Sequence, residues 1–146
     1  MRDYTKIVAW QKSDDLTVAI YAATKSFPKD EMYALTSQIR RASYSVPSNI
    51  AEGAARDSQK DYLHFLYIAR GSLTEVRYFI HLSGRLGYLS QAQVGSLKEQ
   101  ADECLRILAG LIRSVEKETG KLSRTVARIS SSLVNLTGAS YLRSNV

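Results

Sequence analysis

The chain has 146 residues, 45% of them hydrophobic and only two of them proline, Pro28 and Pro47, which fits one globular domain with its own core and excludes collagen-like, mucin-like and largely disordered classes. A single cysteine, Cys104, excludes an intrachain disulfide and a cysteine metal cluster, and the lack of a signal-peptide pattern or of an apolar run of about 18 residues predicts a soluble protein of the reducing cytoplasm with no membrane span. The formal charge is +6, and from Lys117 onward Lys117, Lys121, Arg124, Arg128 and Arg143 stand against Glu118 alone, so an anionic partner is expected there.

Ala9, Ser13, Leu16, Ile20, Ala23 and Phe27 recur at spacings of four and three, which predicts a first helix with one buried face. Ile7, Trp10, Val18 and Tyr21 lie off that face, so a second surface of this helix is expected to meet another element or another subunit. Ser26-Phe27-Pro28 interrupts the pattern, and Pro28 followed by Asp30 and Glu31 reads as the start of a second helix. Its apolar stripe is Met32, Leu35, Ile39, Ala42, Val46 and Gly53, and Pro47 is expected to kink or divide it.

Asp57-Ser58 with Asp61 supplies capping chemistry for a third helix carrying Tyr62, Leu66, Ala69, Leu73, Val76 and Ile80, which should reach Arg85 and stop at Gly87. A neighbouring stripe, Phe65, Ile68, Ser72, Glu75, Phe79, Leu82 and Leu86, makes this helix central. Ser90-Gln91-Ala92-Gln93 is a capping-box pattern, and Val94, Leu97, Ala101, Cys104, Leu108, Leu111 and Val115 follow as a fourth helix. Beyond Gly120, Leu122, Val126, Ile129, Leu133 and Leu136 keep the period, with the basic residues on the opposite side. The expected architecture is therefore all-α, an antiparallel up-and-down four-helix bundle over residues 1–118 with a basic amphipathic C-terminal extension over 119–146. The apolar side of that extension is expected to dock on the bundle or on a neighbouring subunit.

Catalytic constellations are missing from the sequence. His64 and His81 are seventeen positions apart on one helix, about 25 Å along its axis, and no zinc-protease, phosphate-loop or nucleophile-elbow motif occurs. Cys104 falls in the core stripe of the fourth helix, where a thiol packs rather than reacts. No enzyme activity, metal or cofactor is expected. Gln38, Arg41, Ser45, Ser48, Asn49 and Glu52 form a wholly polar stripe on the second helix, and Glu75 on the third needs an ionic partner, for which Arg41 is the candidate. Gln38, Arg41, Ser45, Asn49, Glu52 and Glu75 are thus expected to form a buried or half-buried structural network.

The segment from Phe27-Pro28 through Glu31, Tyr33, Leu35, Gln38-Ile39-Arg40-Arg41-Ala42 to Ser45-Val46-Pro47-Ser48-Asn49-Ile50-Ala51-Glu52-Gly53 resembles the signature of the bacterial four-helix-bundle proteins encoded in intervening sequences of 23S rRNA genes. Trp10, Ile68-Ala69-Arg70-Gly71-Ser72-Leu73 with Glu75, and Leu86-Gly87-Tyr88-Leu89 fit it as well, so that the likeness spans residues 7–118. The resemblance implies a homopentamer of four-helix protomers. It also implies a distant relation to the accessory variability protein of diversity-generating retroelements, a basic pentamer that binds a reverse transcriptase and nucleic acid.

Two functions follow as expectations. In the first, a homo-oligomer binds RNA or DNA as a nucleic-acid-binding or ribonucleoprotein accessory protein, its phosphate contacts drawn from Lys117, Lys121, Arg124 and Arg128, with Arg40, Arg56, Lys60 and Arg70 as the other candidates. In the alternative, the protein is an interaction scaffold that holds a partner enzyme such as a reverse transcriptase.

Overall fold

The computed structural model describes the backbone of residues 1–143 and the side chains of residues 1–130. Four α-helices occur among the described residues: α1 (Val8–Ala23), α2 (Leu35–Ala54), α3 (Gln59–Arg85) and α4 (Gln91–Arg143), with short 3-10 turns at Tyr4–Lys6, Thr24–Ser26 and Lys29–Glu31. Each helix packs on its chain neighbours, and α4 closes the ring on α1. Short connections make the neighbours antiparallel, as the sequence predicts.

Local chemistry sets most of the helix ends. The Asp3 carboxylate accepts the Thr5 N–H at 3.1 Å and opens the turn before α1. At the start of α3, Ser58 Oγ accepts the Asp61 N–H at 3.0 Å. The chain leaves α3 through Gly87 at φ +76°, where the Gly87 and Tyr88 amides donate back to the Gly84 and Ser83 carbonyls. Ser90 and Gln93 then cap α4 reciprocally: the Gln93 N–H donates to Ser90 Oγ at 3.2 Å, and the Ser90 N–H to Gln93 Oε1 at 2.9 Å.

The apolar stripes converge on one core. Leu16 and Ile20 of α1, Ile39, Val46 and Ile50 of α2, Leu66, Leu73 and Ile80 of α3, and Ala101, Cys104 and Leu108 of α4 are all buried. Phe27 closes the top, with its ring 5.5 Å from that of Tyr88. At the other end α2 and α3 touch backbone to side chain, since a Cβ on Gly53 would lie 2.8 Å from Phe65 Cβ.

Three expectations are corrected. The second helix begins at Leu35 rather than at Pro28, because residues 29–31 form a 3-10 turn and Ala34, at φ −117° and ψ −110°, leaves helical geometry. Glu31 stabilises this late start: one carboxylate oxygen accepts the Leu35 N–H at 3.1 Å and the other accepts the Tyr88 hydroxyl at 3.0 Å. Met32, expected in the apolar stripe, is therefore 53% exposed. Second, Pro47 does not divide α2, which runs unbroken around it. Proline has no N–H for the Ser43 carbonyl, and the Thr17 hydroxyl of α1 lies 2.9 Å from that oxygen instead.

Third, of the two surfaces expected to receive the apolar side of the C-terminal extension, its own bundle does not receive residues 121–130. The helix α4 runs without a break through positions 118 and 119, and residues 121–130 are all exposed, Leu122, Val126 and Ile129 among them. The side chains of Leu133, Leu136 and Arg143 lie outside the described residues. From residue 118 to residue 143 the helix runs on for about 37 Å at 1.5 Å per residue. Among the described residues no helix is long and apolar enough to cross a membrane.

Candidate nucleic-acid interface

One residue turns an α-helix by about 100°, so residues at spacings of seven, four and three stay near one line. On α4 that line holds Arg106, Arg113, Lys117, Lys121, Arg124 and Arg128, all exposed and all within an arc of about 80°. The arc lies on the opposite side of the helix from Leu108, Ile112 and Val115, which face the core. Its six cations extend over about 33 Å. A shallow cleft of about 490 Å³ sits midway along it between Arg113, Lys117, Lys121 and Arg124, with Glu116 and Gly120 completing its lining.

The acids of this stretch form no ion pair with that face among the described residues. Between residues 106 and 130 they are Glu116 and Glu118, and each is turned to α3. The Tyr67 hydroxyl donates to Glu116 at 2.5 Å, and Gln59 Nε2 donates to Glu118 at 2.7 Å. The Glu116 carboxylate, by accepting that bond, holds the Tyr67 phenol above its ordinary value. Among the described residues none of the six cations is in an ion pair. A row of cations outside any ion pair suits a phosphate backbone, and Glu116, which lines the cleft, is the one carboxylate beside it.

Of the cations expected to contact phosphate, the structure gathers Lys117, Lys121, Arg124 and Arg128 on this single face. Arg70, its guanidinium 5.0 Å from the Tyr67 ring centre, stands beside the Tyr67–Glu116 bond at the flank of α4. Lys60 is exposed and adjoins Gln59, which is bonded to Glu118. Arg56 is held by Glu52 at 2.6 Å and lies over the Phe65 ring. Arg40 stands apart, at the end of the bundle where α1 terminates: Nε donates to Thr24 Oγ1 at 2.8 Å and the guanidinium covers Tyr21. Arg106 and Arg113 were not anticipated. Their spacing from Lys117 was readable, but Glu99, Asp102 and Glu103 nearby make the charge of that stretch look balanced.

The polar stripe of α2 forms a seam against α3. Ser45 Oγ and Ser72 Oγ are 2.9 Å apart, Asn49 Nδ2 donates to Ser45, and an Arg41 terminal nitrogen donates to Glu75 Oε2 at 2.8 Å, while Arg41 Nε reaches Gln38 Oε1 at 3.4 Å. One residue expected in this network lies outside it, while the rest of the seam is half-buried. The Arg41 and Glu75 side chains are each 47% exposed, and Glu52 pairs with Arg56 rather than joining the seam. No further helix covers this side of α2 and α3 among the described residues, so the pair keeps its water.

Among the described residues the two histidines do not converge. His64 and His81 are both exposed and remain seventeen positions apart on α3. Cys104 is buried, and burial pushes its thiol up to about 11. No group of three metal-ligating side chains occurs among the described residues.

Comparisons with known proteins agree with this architecture. A family model described as 23S rRNA-intervening sequence protein matches residues 5–110. A solved structure from Bacteroides thetaiotaomicron VPI-5482, described as a protein with unknown function from the S23 ribosomal protein family, is similar at 26% identity and a TM-score of 0.67, over 72% of this chain and 98% of its own. No match is found among curated proteins. The matched region ends before Arg113, so most of the cationic face lies beyond it.

Proposed function

The chain belongs to the family of 23S rRNA-intervening sequence proteins, and from that premise we propose that it is a non-enzymatic, cytoplasmic accessory protein that binds RNA or DNA as a homo-oligomer, a pentamer being the expected assembly. The bundle serves as the platform, and the outer face of α4 contacts phosphates. The observation that supports this reading is the row from Arg106 to Arg128, whose two neighbouring acids are bonded to α3. Such contacts position a strand without reading its sequence. Titration of fluorescent RNA and DNA at two salt concentrations tests it. Binding that weakens steeply with salt is the expected result, and no binding at low salt refutes it.

A second reading has its own support. Leu122, Val126 and Ile129 are 59%, 56% and 55% exposed at spacings of four and three, which is the pattern of a helix that lays an apolar side into a partner groove. In that reading the protein is a scaffold that holds a partner enzyme. Retention of a partner without any nucleic-acid affinity at low salt would favour it.

A further inference from the structure

At the opposite end of the bundle from the point where α4 leaves it, α3 and α4 flank a shallow, open groove formed by two adjoining clefts of about 450 and about 340 Å³, volumes within the usual range of small-ligand sites. His81 and Lys98 line both clefts. Arg85 belongs to the larger and Tyr78 to the smaller.

We propose that this groove binds a nucleotide, with its phosphate between Lys98 and Arg85 and its base against the ring of Tyr78. No carboxylate lines either cleft. Arg77 is paired with Asp102 at 2.8 Å, whereas Lys98 and Arg85 have no acidic partner among the described residues. Two unpaired cations lining a concave wall attract a phosphate.

The remainder of the groove suits the rest of a nucleotide. Leu89 and Val94 give it an apolar floor, closed where α3 meets α4, since a Cβ on Gly84 would lie 2.7 Å from Val94 Cγ2. At Gly95 the wall is open: a Cβ there would meet nothing within 4 Å. Tyr78 is 58% exposed and offers a ring face on which any base stacks. The phosphate unit has two sources, a free nucleotide or the 5′ end of a strand, and both present the same chemistry to these residues. Lys98 lies about 12 Å along α4 from Arg106, where the phosphate face begins, and about 35 Å from Lys121, so the site goes beyond that face and is separable from its distal half.

Ligand-observed NMR on the full chain, with AMP, UMP, adenosine, inorganic phosphate and a 5′-phosphorylated tetranucleotide as probes, tests the proposal. A nucleotide should bind at least fivefold more tightly than either adenosine or phosphate. Lys98→Gln with Arg85→Gln should weaken it at least tenfold, Gly95→Leu should fill the open wall and do the same, and Tyr78→Phe should retain affinity that Tyr78→Ala loses. Gly95→Leu places its side chain in open space on a helix, so its folding is not in question. Replacing Lys121, Arg124 and Arg128 by glutamine should leave mononucleotide binding unchanged, which separates this site from the outer face of α4. Affinity for AMP identifies a free nucleotide as sufficient, and affinity for the tetranucleotide alone identifies a strand end. No binding of either at millimolar concentration, phosphate binding as tightly as AMP, or binding unaltered by both the cation and the Gly95 substitutions would overturn the assignment.

Discussion

The hydroxyl of Thr17 on α1 lies 2.9 Å from the carbonyl oxygen of Ser43 on α2, the acceptor that Pro47 cannot serve. The same hydroxyl is 2.8 Å from the Ser13 carbonyl, so one proton is shared between its own helix and the neighbouring one. Ser43 and Pro47 are buried, and an unserved carbonyl there costs about 1–3 kcal/mol.

Thr17→Val should accordingly destabilise the protein by about 1–2 kcal/mol in urea unfolding, while Thr17→Ser should keep most of the stability. In a Pro47→Ala background the restored backbone amide can serve Ser43, and the cost of Thr17→Val should shrink. An equal cost in both backgrounds would show that the hydroxyl does not stand in for the missing amide.

Arg41 and Gly53 should respond in an order opposite to their chemical prominence. Both members of the Arg41–Glu75 pair are half in water, so Arg41→Ala should cost under about 1 kcal/mol. Gly53→Ala forces a methyl to within 2.8 Å of Phe65 Cβ and 3.0 Å of the Tyr62 ring and should cost about 1–3 kcal/mol. Thermal melts of the two variants side by side decide the matter.

The phosphate face predicts a slope as well as an affinity. Lys121, Arg124 and Arg128 are exposed and outside any ion pair among the described residues, so their joint replacement by glutamine should leave the melting temperature almost unchanged. Each phosphate contact contributes about 0.9 to the logarithmic salt dependence of duplex binding, so that dependence should flatten by nearly three units. Unchanged slope and affinity would remove the distal half of the face from the interface.

Cys104 predicts an alkaline loss of stability. Its thiol is raised from 9.0 to about 11, by burial first and by the neighbouring Glu103 charge second. Above about pH 9 the unfolded chain gives up this proton while the folded chain keeps it. The contribution of Cys104 is therefore complete below pH 9 and falls as pH rises towards 11, by about 2 kcal/mol. Cys104→Ala should lack this component, so the stability difference between the two proteins, followed by urea unfolding from pH 8 to pH 10.5, should narrow at the alkaline end. A constant difference would mean that the thiol is not shielded.

Sequence reasoning succeeded where the controlling chemistry is local. Ser58 with Asp61, Gly87, and Ser90 with Gln93 each fix a helix end with atoms a few positions apart, and the spacing of Leu66, Leu73 and Ile80 fixes which face turns inward. It failed where a second element intervenes. Tyr88 holds the Glu31 carboxylate at the late start of α2, and Thr17 meets the carbonyl that Pro47 leaves unserved, and neither contact is visible within the helix itself. For the candidate interface, helical spacing places Lys117 to Arg128 on one line. That Glu116 and Glu118 bond to α3 rather than to these cations depends on Tyr67 and Gln59, on another helix. The Arg41–Glu75 pairing follows from stripe arithmetic, but its exposure reflects which side of the bundle has no further layer.

Because α4 is one helix from Gln91 to Arg143, the distal cations are keyed in angle to the proximal ones like teeth on a single shaft. Inserting two residues after Gly120 would turn Arg124 and Arg128 by about 200° relative to Arg106 and Arg113 while moving them only about 3 Å along the axis. Inserting seven would nearly restore the angle and lengthen the shaft by about 10 Å. A partner that grips both ends of the row is thus sensitive to rotation far more than to distance, and the set of tolerated insertions at this one position is a gauge of whether the row is read as a unit.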